Sequence, residues 1–330
     1  MKNSLLKSRP KMKKKVLITR SILNDGLKLL EEQGFEIEIN PFDRPFSYEE
    51  LNQNAKKADA IISMLDDQID REFLLQNSHL KVISNYAVGF NNIDIKTASE
   101  LNIRIGNTPG VLTEATAEVA IGLMIAASRN FLSANKAAIE GKWKGWHPTA
   151  HLGNGLSGKN LGIIGMGRIG QRVAEMAHYG FGMNIQYYSN TEKQTAFKSS
   201  KCSLEEIFSH SDVISVHLPL NSSTRHFIGS KELKLMKKSA VLINTARGEI
   251  IDQEALILAL KEKTIFAAGL DVTTPEPLPC ESDLFKLENA IILPHIGSAS
   301  FEARRAMSTI AAQNVIAGIE NLELVGWVNR

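Results

Sequence analysis

Two cysteines, Cys202 and Cys280, are all that the 330 residues contain, and their spacing makes neither a disulfide framework nor a metal knuckle. A reducing, cytoplasmic setting is the expectation. No apolar run approaches the roughly 20 residues of a membrane-spanning helix, so no membrane span is expected. The N-terminal segment lacks the apolar stretch of a secretory signal, and it is lysine-rich where a transit peptide carries Arg and Ser. An excess of one charge is lacking too. The net balance is +2, yet residues 1–15 hold seven Lys or Arg and no acid, leaving 31 basic against 36 acidic residues beyond them. That argues against a broad nucleic-acid face, whose footprint is clustered positive charge. Residues 1–15 are read as a solvated, disordered basic tail, with Met12 placed to serve as an alternative start.

With 43% apolar and 22% charged residues, the make-up is that of an ordinary soluble globular protein. The length exceeds what one hydrophobic core usually serves. Short apolar runs alternate with helical patterns, the βαβ signature of parallel sheets. Strands are predicted at 16–18, 35–39, 60–62, 82–84 and 103–105, with helices at 48–57 and 93–101 among them. Thr113 is expected to cap one long helix reaching toward Glu140, along which Val119, Ala120, Leu123, Met124 and Ala127 keep helical spacing. Six further strands are predicted at 161–164, 184–188, 213–217, 240–244, 267–271 and 290–293, followed by a helix at 303–319. Six strands after a long entry helix suit a doubly wound nucleotide domain.

The run Gly165-Met166-Gly167-Arg168-Ile169-Gly170 stands between an apolar stretch and a helix-compatible one. In that order the first glycine makes a tight turn, the second lets the backbone approach a pyrophosphate, and the third packs helix against strand. The phosphates then sit on a helix N-terminus. Beyond it come Asn244-Thr245-Ala246-Arg247-Gly248, Gly269-Leu270-Asp271 with Pro275-Glu276-Pro277, and Pro294-His295-Ile296-Gly297-Ser298-Ala299, each at or just past a strand-like run.

By these motifs and their order, from about Val16 to Asn329, the chain resembles the D-isomer-specific 2-hydroxyacid dehydrogenases. Within that family it is most similar to the glyoxylate/hydroxypyruvate reductases and 2-ketogluconate reductases, through Trp143, Trp146-His147-Pro148 and His178-Tyr179-Gly180-Phe181-Gly182. The resemblance implies an α/β fold of two Rossmann-like or flavodoxin-like domains with parallel sheets and an active-site cleft between them. A substrate domain would comprise 16–110 plus 298–330, and a dinucleotide-binding Rossmann domain 111–297.

Reducing a 2-oxo acid requires a group to grip the carboxylate and one to protonate the developing alkoxide. Arg247 has the planar fork for the first task, and His295 suits the second, histidine being the side-chain type whose unperturbed pKa lies nearest working pH. By the resemblance Glu276 holds the other imidazole nitrogen, Asp271 contacts the nicotinamide carboxamide, and Val88, Gly89 and Ser298 join the substrate site. For Asp271 a buried helix cap is the plain alternative. Cofactor contacts are expected from Gly165, Gly167, Arg168, Ile169, Gly170, His217, Pro219, Thr224, Thr245, Ala246 and Gly297. An NAD-selective chain places an acid on the ribose 2′-OH about 20 residues past the glycines. Nineteen residues after Gly170 stands Ser189, followed by Asn190, Thr191, Glu192 and Lys193. With no carboxylate at the tip and three donors present, NADPH is the expected cofactor, with NADH possible because no arginine follows and Glu192 is near.

His147 and His151 lie four apart, but Pro148 breaks a helix between them and no third ligand is near, so no metal is expected. Trp146 is read either as shaping the substrate pocket from a neighbouring subunit or as simple packing, with Trp143, in a homodimer. The expected activity is reduction of glyoxylate or hydroxypyruvate to the D-2-hydroxy acid. 2-Ketogluconate is the rival substrate, a phosphoglycerate dehydrogenase with its C-terminal regulatory domain is disfavoured by the short chain, and a nucleotide-sensing corepressor scaffold is the non-catalytic alternative.

Overall fold

The computed structural model describes residues 13–330, so most of the basic segment read as a tail lies outside the described residues. Its last residues are structured: Lys14 Nζ pairs with Asp59 at 2.6 Å, and Lys15 opens the first strand. The chain forms two compact units, one ending at Val111 and resuming at Phe301–Arg330, the other Leu112–Ser300.

The first unit runs β1 (Lys15–Ile18), α1 (Asn24–Glu32), β2 (Glu36–Ile39), α2 (Tyr48–Ala55), β3 (Ala60–Ser63), α3 (Arg71–Gln76), β4 (Val82–Asn85), α4 (Ile95–Glu100) and β5 (Arg104–Gly106). Its five parallel strands stand in the order β2-β1-β3-β4-β5, the flavodoxin-like arrangement. Strands such as β3 and β4 are buried along their whole length, as parallel strands covered on both faces must be, which is why they read as apolar runs. Helix starts are fixed locally. Ser47 and Glu50 close a capping box on α2, and Asp70 and Asp94 cap α3 and α4. The C-terminal helix Phe301–Glu320 belongs to this unit. On it Ser308 Oγ accepts the Gly26 N–H at 3.0 Å and donates to Leu23 O at 2.6 Å. Asn314, wholly buried, bridges the end of β5 to Gly326.

The second unit runs α5 (Thr113–Ser128), α6 (Phe131–Ile139), β6 (Asn160–Ile164), α7 (Arg168–Phe181), β7 (Asn184–Tyr188), β8 (Ser199–Lys201), α8 (Leu204–His210), β9 (Val213–Val216), α9 (Ser230–Leu235), β10 (Val241–Asn244), α10 (Gln253–Lys261), β11 (Ala267–Leu270) and β12 (Ala290–Ile292). The seven parallel strands, β12-β11-β10-β9-β6-β7-β8, keep the Rossmann order with one strand added, and their direction of build reverses between β6 and β9.

Two sequence expectations are corrected. The single long helix from Thr113 toward Glu140 is two helices, because Asn130 adopts a left-handed conformation (φ 55°) that an α-helix cannot propagate. Thr113 is its first helical residue, and Leu112 occupies the cap position without a side-chain cap bond. A seventh strand, β8, adds to the six expected. Ser199-Ser200-Lys201 is polar and mostly exposed because it lies at the sheet edge. No helix among the described residues is long and apolar enough to cross a membrane.

Candidate active site

Every strand of the second unit points the same way, so all the loops after its strands emerge along one edge. The glycine run follows β6 at the reversal point, where open α/β sheets bind ligands. Gly165 takes φ +101°, and a Cβ there would fall 2.6 Å from His217 O in the loop after β9. Gly170 is equally constrained, since a Cβ would meet Gly165 O at 2.2 Å. Gly167, by contrast, is exposed with no heavy atom within 4 Å of a Cβ position. The outer glycines are therefore required by the protein's own packing, while the middle one leaves open surface where another molecule's backbone-level contact is possible. Gly167 also caps the 14-residue α7 without a side-chain bond, so the first-turn N–H groups are left for an external anion.

The neighbouring loops fit a dinucleotide in the same way. Gly165 N–H binds Tyr188 O at 3.0 Å, tying the turn to the end of β7, just before Ser189 and the exposed Asn190. Lys201 Nζ reaches Asn190 O at 3.4 Å, which brings a cation to that turn. After β10, Thr245 Oγ1 is buried with no hydrogen-bond partner among the described residues, an orphan that a bound group would satisfy. The Thr224 hydroxyl is occupied within its own loop, donating to Pro219 O at 2.7 Å, and the Ala246 N–H is taken by Asn244 Oδ1 at 3.0 Å. His217 bonds Ser215 Oγ at 2.8 Å, and burial pushes its imidazole down to about 3, so it stays neutral beside this site.

Three further loops bring titratable groups to the same edge. His295, two residues past Leu293, holds φ 53°, and its Nδ1 lies 2.8 Å from Glu276 Oε2. The other carboxylate oxygen, Oε1, accepts the Thr273 N–H at 2.9 Å. Burial alone would push the Glu276 carboxyl up, but the His295 bond, the Thr273 N–H and the Arg247 charge together hold it below its ordinary value. Glu276 is thus an anion that accepts from Nδ1–H, leaving Nε2 as the ring nitrogen open to proton exchange. Arg247 extends from the loop after β10; its guanidinium is depressed by burial, opposed by Glu276 and Glu249, and its Nη1 donates to Ala246 O at 2.7 Å.

Asp271, at the end of β11, serves this loop directly. Its carboxylate accepts the N–H groups of Ile296 and Gly297 at 2.8 and 2.7 Å, and its carbonyl accepts the His295 N–H at 2.9 Å. Burial raises its pKa while those N–H bonds oppose the shift. The plain expectation of a helix cap is replaced by an anchor for the histidine loop. A residue the motifs did not point to is Gln253. Its amide pairs with both backbone polar groups of Thr274, at 2.6 and 2.9 Å, fixing the segment that carries Glu276. As the first residue of α10 it looks like any helix start, so no local pattern marks it.

Val88, Gly89 and the loop around them lie in the first unit. Trp143 and Trp146 are exposed at 73% and 87%, and His147 Nδ1 pairs with Thr149 Oγ1 at 3.1 Å.

A fold that offers a phosphate-accepting turn at its switch point, and that sets a carboxylate-held imidazole along the same edge, is of the nicotinamide-dependent oxidoreductase class. Residues 121–297 match the family model described as D-isomer specific 2-hydroxyacid dehydrogenase, NAD binding domain. A glyoxylate reductase of Thermococcus litoralis is 47% identical over 313 residues, 93% of this chain and 94% of that protein. The crystal structure of TT0316 protein from Thermus thermophilus superposes with a TM-score of 0.90 at 41% identity, covering 95% of this chain and 99% of that one. An NADPH-dependent glyoxylate/hydroxypyruvate reductase from Sinorhizobium meliloti, solved with NADP and malonate, superposes at 0.84 with 29% identity, over 96% of this chain and 97% of that one. The chain belongs to the D-isomer specific 2-hydroxyacid dehydrogenase family, and it is an NAD(P)-dependent oxidoreductase.

Proposed function

We propose that this enzyme reduces glyoxylate to glycolate and hydroxypyruvate to D-glycerate, with NADPH as the preferred reductant and NADH as a weaker one. The observation that carries the reading is the 2.8 Å contact between His295 Nδ1 and Glu276, whose carboxylate feels the charge of the half-buried Arg247. The nicotinamide supplies the hydride. Arg247 binds the substrate carboxylate through its fork and polarises the carbonyl, with Val88, Gly89 and Ser298 as further contacts. As negative charge gathers on the carbonyl oxygen, His295 Nε2 gives it a proton, and Glu276 stabilises the ring while it is charged. Oxidation runs the same proton in reverse. Gly165, Gly167, Arg168, Ile169 and Gly170 would hold the pyrophosphate, and Ser189, Asn190 and Lys193 the 2′-phosphate. Names of relatives support the substrate class, and the absence of an acid at 189 supports NADPH.

The test is the initial rate of absorbance loss at 340 nm with NADPH and NADH against glyoxylate, hydroxypyruvate, 2-ketogluconate and pyruvate. Fast NADPH oxidation with either of the first two is expected; exclusive use of 2-ketogluconate would reassign the substrate. Cytoplasmic residence and a homodimer belong to the same proposal. Ile139, Trp143, Trp146 and Leu152, all more than 60% exposed, form a run of apolar side chains on one segment that a second copy would cover. Light scattering after gel filtration should give twice the 36.4 kDa chain mass, and a monomer would refute the dimer.

A further inference from the structure

The turn after β4 is anchored by its carbonyls. Ala87 O accepts the Thr108 N–H at 2.8 Å, Val88 O the Asn107 side-chain amide at 2.8 Å, and Gly89 O the Asn85 side-chain amide at 2.9 Å. In a trans peptide the N–H points opposite the carbonyl. The three anchored carbonyls therefore aim the next three N–H groups, those of Val88, Gly89 and Phe90, the other way. None of these three meets an acceptor among the described residues. Consecutive free backbone donors make a concavity suited to an anion.

The anchors are themselves fixed. Asn107 is 8% exposed, its N–H binds Gly326 O at 2.8 Å, and its carbonyl accepts from Asn314 at 3.0 Å. Asn85 is wholly buried, and its Oδ1 accepts from Ser63 Oγ at 3.0 Å. We propose that Asn107 and Asn85 are positioning residues that aim the Val88, Gly89 and Phe90 N–H groups at the carboxylate of the 2-oxo acid. This rests on the substrate class proposed above. Asn107 is the residue to change, because its side-chain amide makes the single bond to Val88 O, whereas Asn85 is wired into a buried network.

Asn107→Ala and the isosteric Asn107→Asp both lack the donor. Each should raise KM for glyoxylate about tenfold, as expected for one misaligned charge-assisted hydrogen bond. kcat should stay within about twofold, because the interaction is made equally before and during reaction. KM for NADPH should not move, although the lost buried hydrogen bond should lower the melting temperature by a few degrees. An unchanged glyoxylate KM, or a loss shared equally by NADPH affinity, overturns the assignment. Calorimetric titration of oxalate into the NADPH-loaded enzyme separates this from the substrate reading. If the unaltered enzyme reduces no 2-oxo acid, that reading fails, yet a roughly tenfold weaker oxalate affinity in Asn107→Ala still supports the positioning role. Equal oxalate affinity in both proteins, or none in either, refutes it.

Discussion

At the scale of single residues, charge placement decides what the chemistry can do. Three partners, His295, Thr273 and Arg247, keep Glu276 ionised, so a full negative charge stands 2.8 Å from His295 Nδ1. Glu276→Gln removes that charge while keeping the shape. Turnover in reduction should then fall on the order of tenfold, and unchanged turnover would show that the contact does not serve the histidine. A second acid acts on stability. Asp67, in the first unit, accepts from the Thr19 hydroxyl and the Met64 N–H, and burial pushes its carboxyl up to about 6. Between about pH 4 and pH 6 the folded chain keeps a proton that the unfolded chain has released, so this group's contribution falls as pH rises, by up to about 3 kcal/mol. His217 works in the opposite sense, since its folded form stays neutral down to about 3 and its contribution is lost as pH falls below 6.5. The comparison of wild type with Asp67→Asn isolates the acid. In urea melts the asparagine variant should gain on wild type from pH 4.5 to pH 7, and a constant difference would rule the effect out.

At the scale of elements, the loops after the strands carry the candidate site residues, and the strands set where those loops emerge. The turn after β7 is where cofactor choice is expected to lie. Ser189→Asp places a carboxylate where a 2′-phosphate would sit, and like-charge repulsion should lower the NADPH-to-NADH preference on the order of tenfold or more. An unchanged ratio of kcat/KM values would remove Ser189 from the cofactor site. Strands buried on both faces announce themselves as runs of Val, Ile and Leu, which is why β1, β3, β6, β9 and β10 could be read from the sequence almost to the residue. The candidate site residues could be nominated for a related reason: Arg247 and His295 each sit three residues past the end of such a run, β10 and β12. What stayed hidden depends on distant contacts or on backbone states that composition does not mark. β8 is a strand because β7 offers it an edge, α5 ends because Asn130 turns left-handed, and Gln253 matters because Thr274 lies across from it.

At the scale of the whole molecule, the chain builds one unit, then a second, and returns through its C-terminal helix to finish the first. That return is held by buried polar side chains, Ser308 and Asn314, that bond to α1 and to the β5 end. The glycine turn and the His295–Glu276 pair are both contained in the uninterrupted second unit. Its strand order is what brings loops separated by 130 residues, from Gly165 to His295, to one sheet edge. At that edge His295 is proposed as the proton donor for reduction. The direct measurement is steady-state turnover of glyoxylate by His295→Gln alongside NADPH binding, followed by quenching of protein fluorescence. A general acid contributes about 10²- to 10⁴-fold, so kcat should fall by that order while the NADPH dissociation constant stays within about twofold of wild type. A variant that binds NADPH normally and turns over at full speed would contradict the assignment.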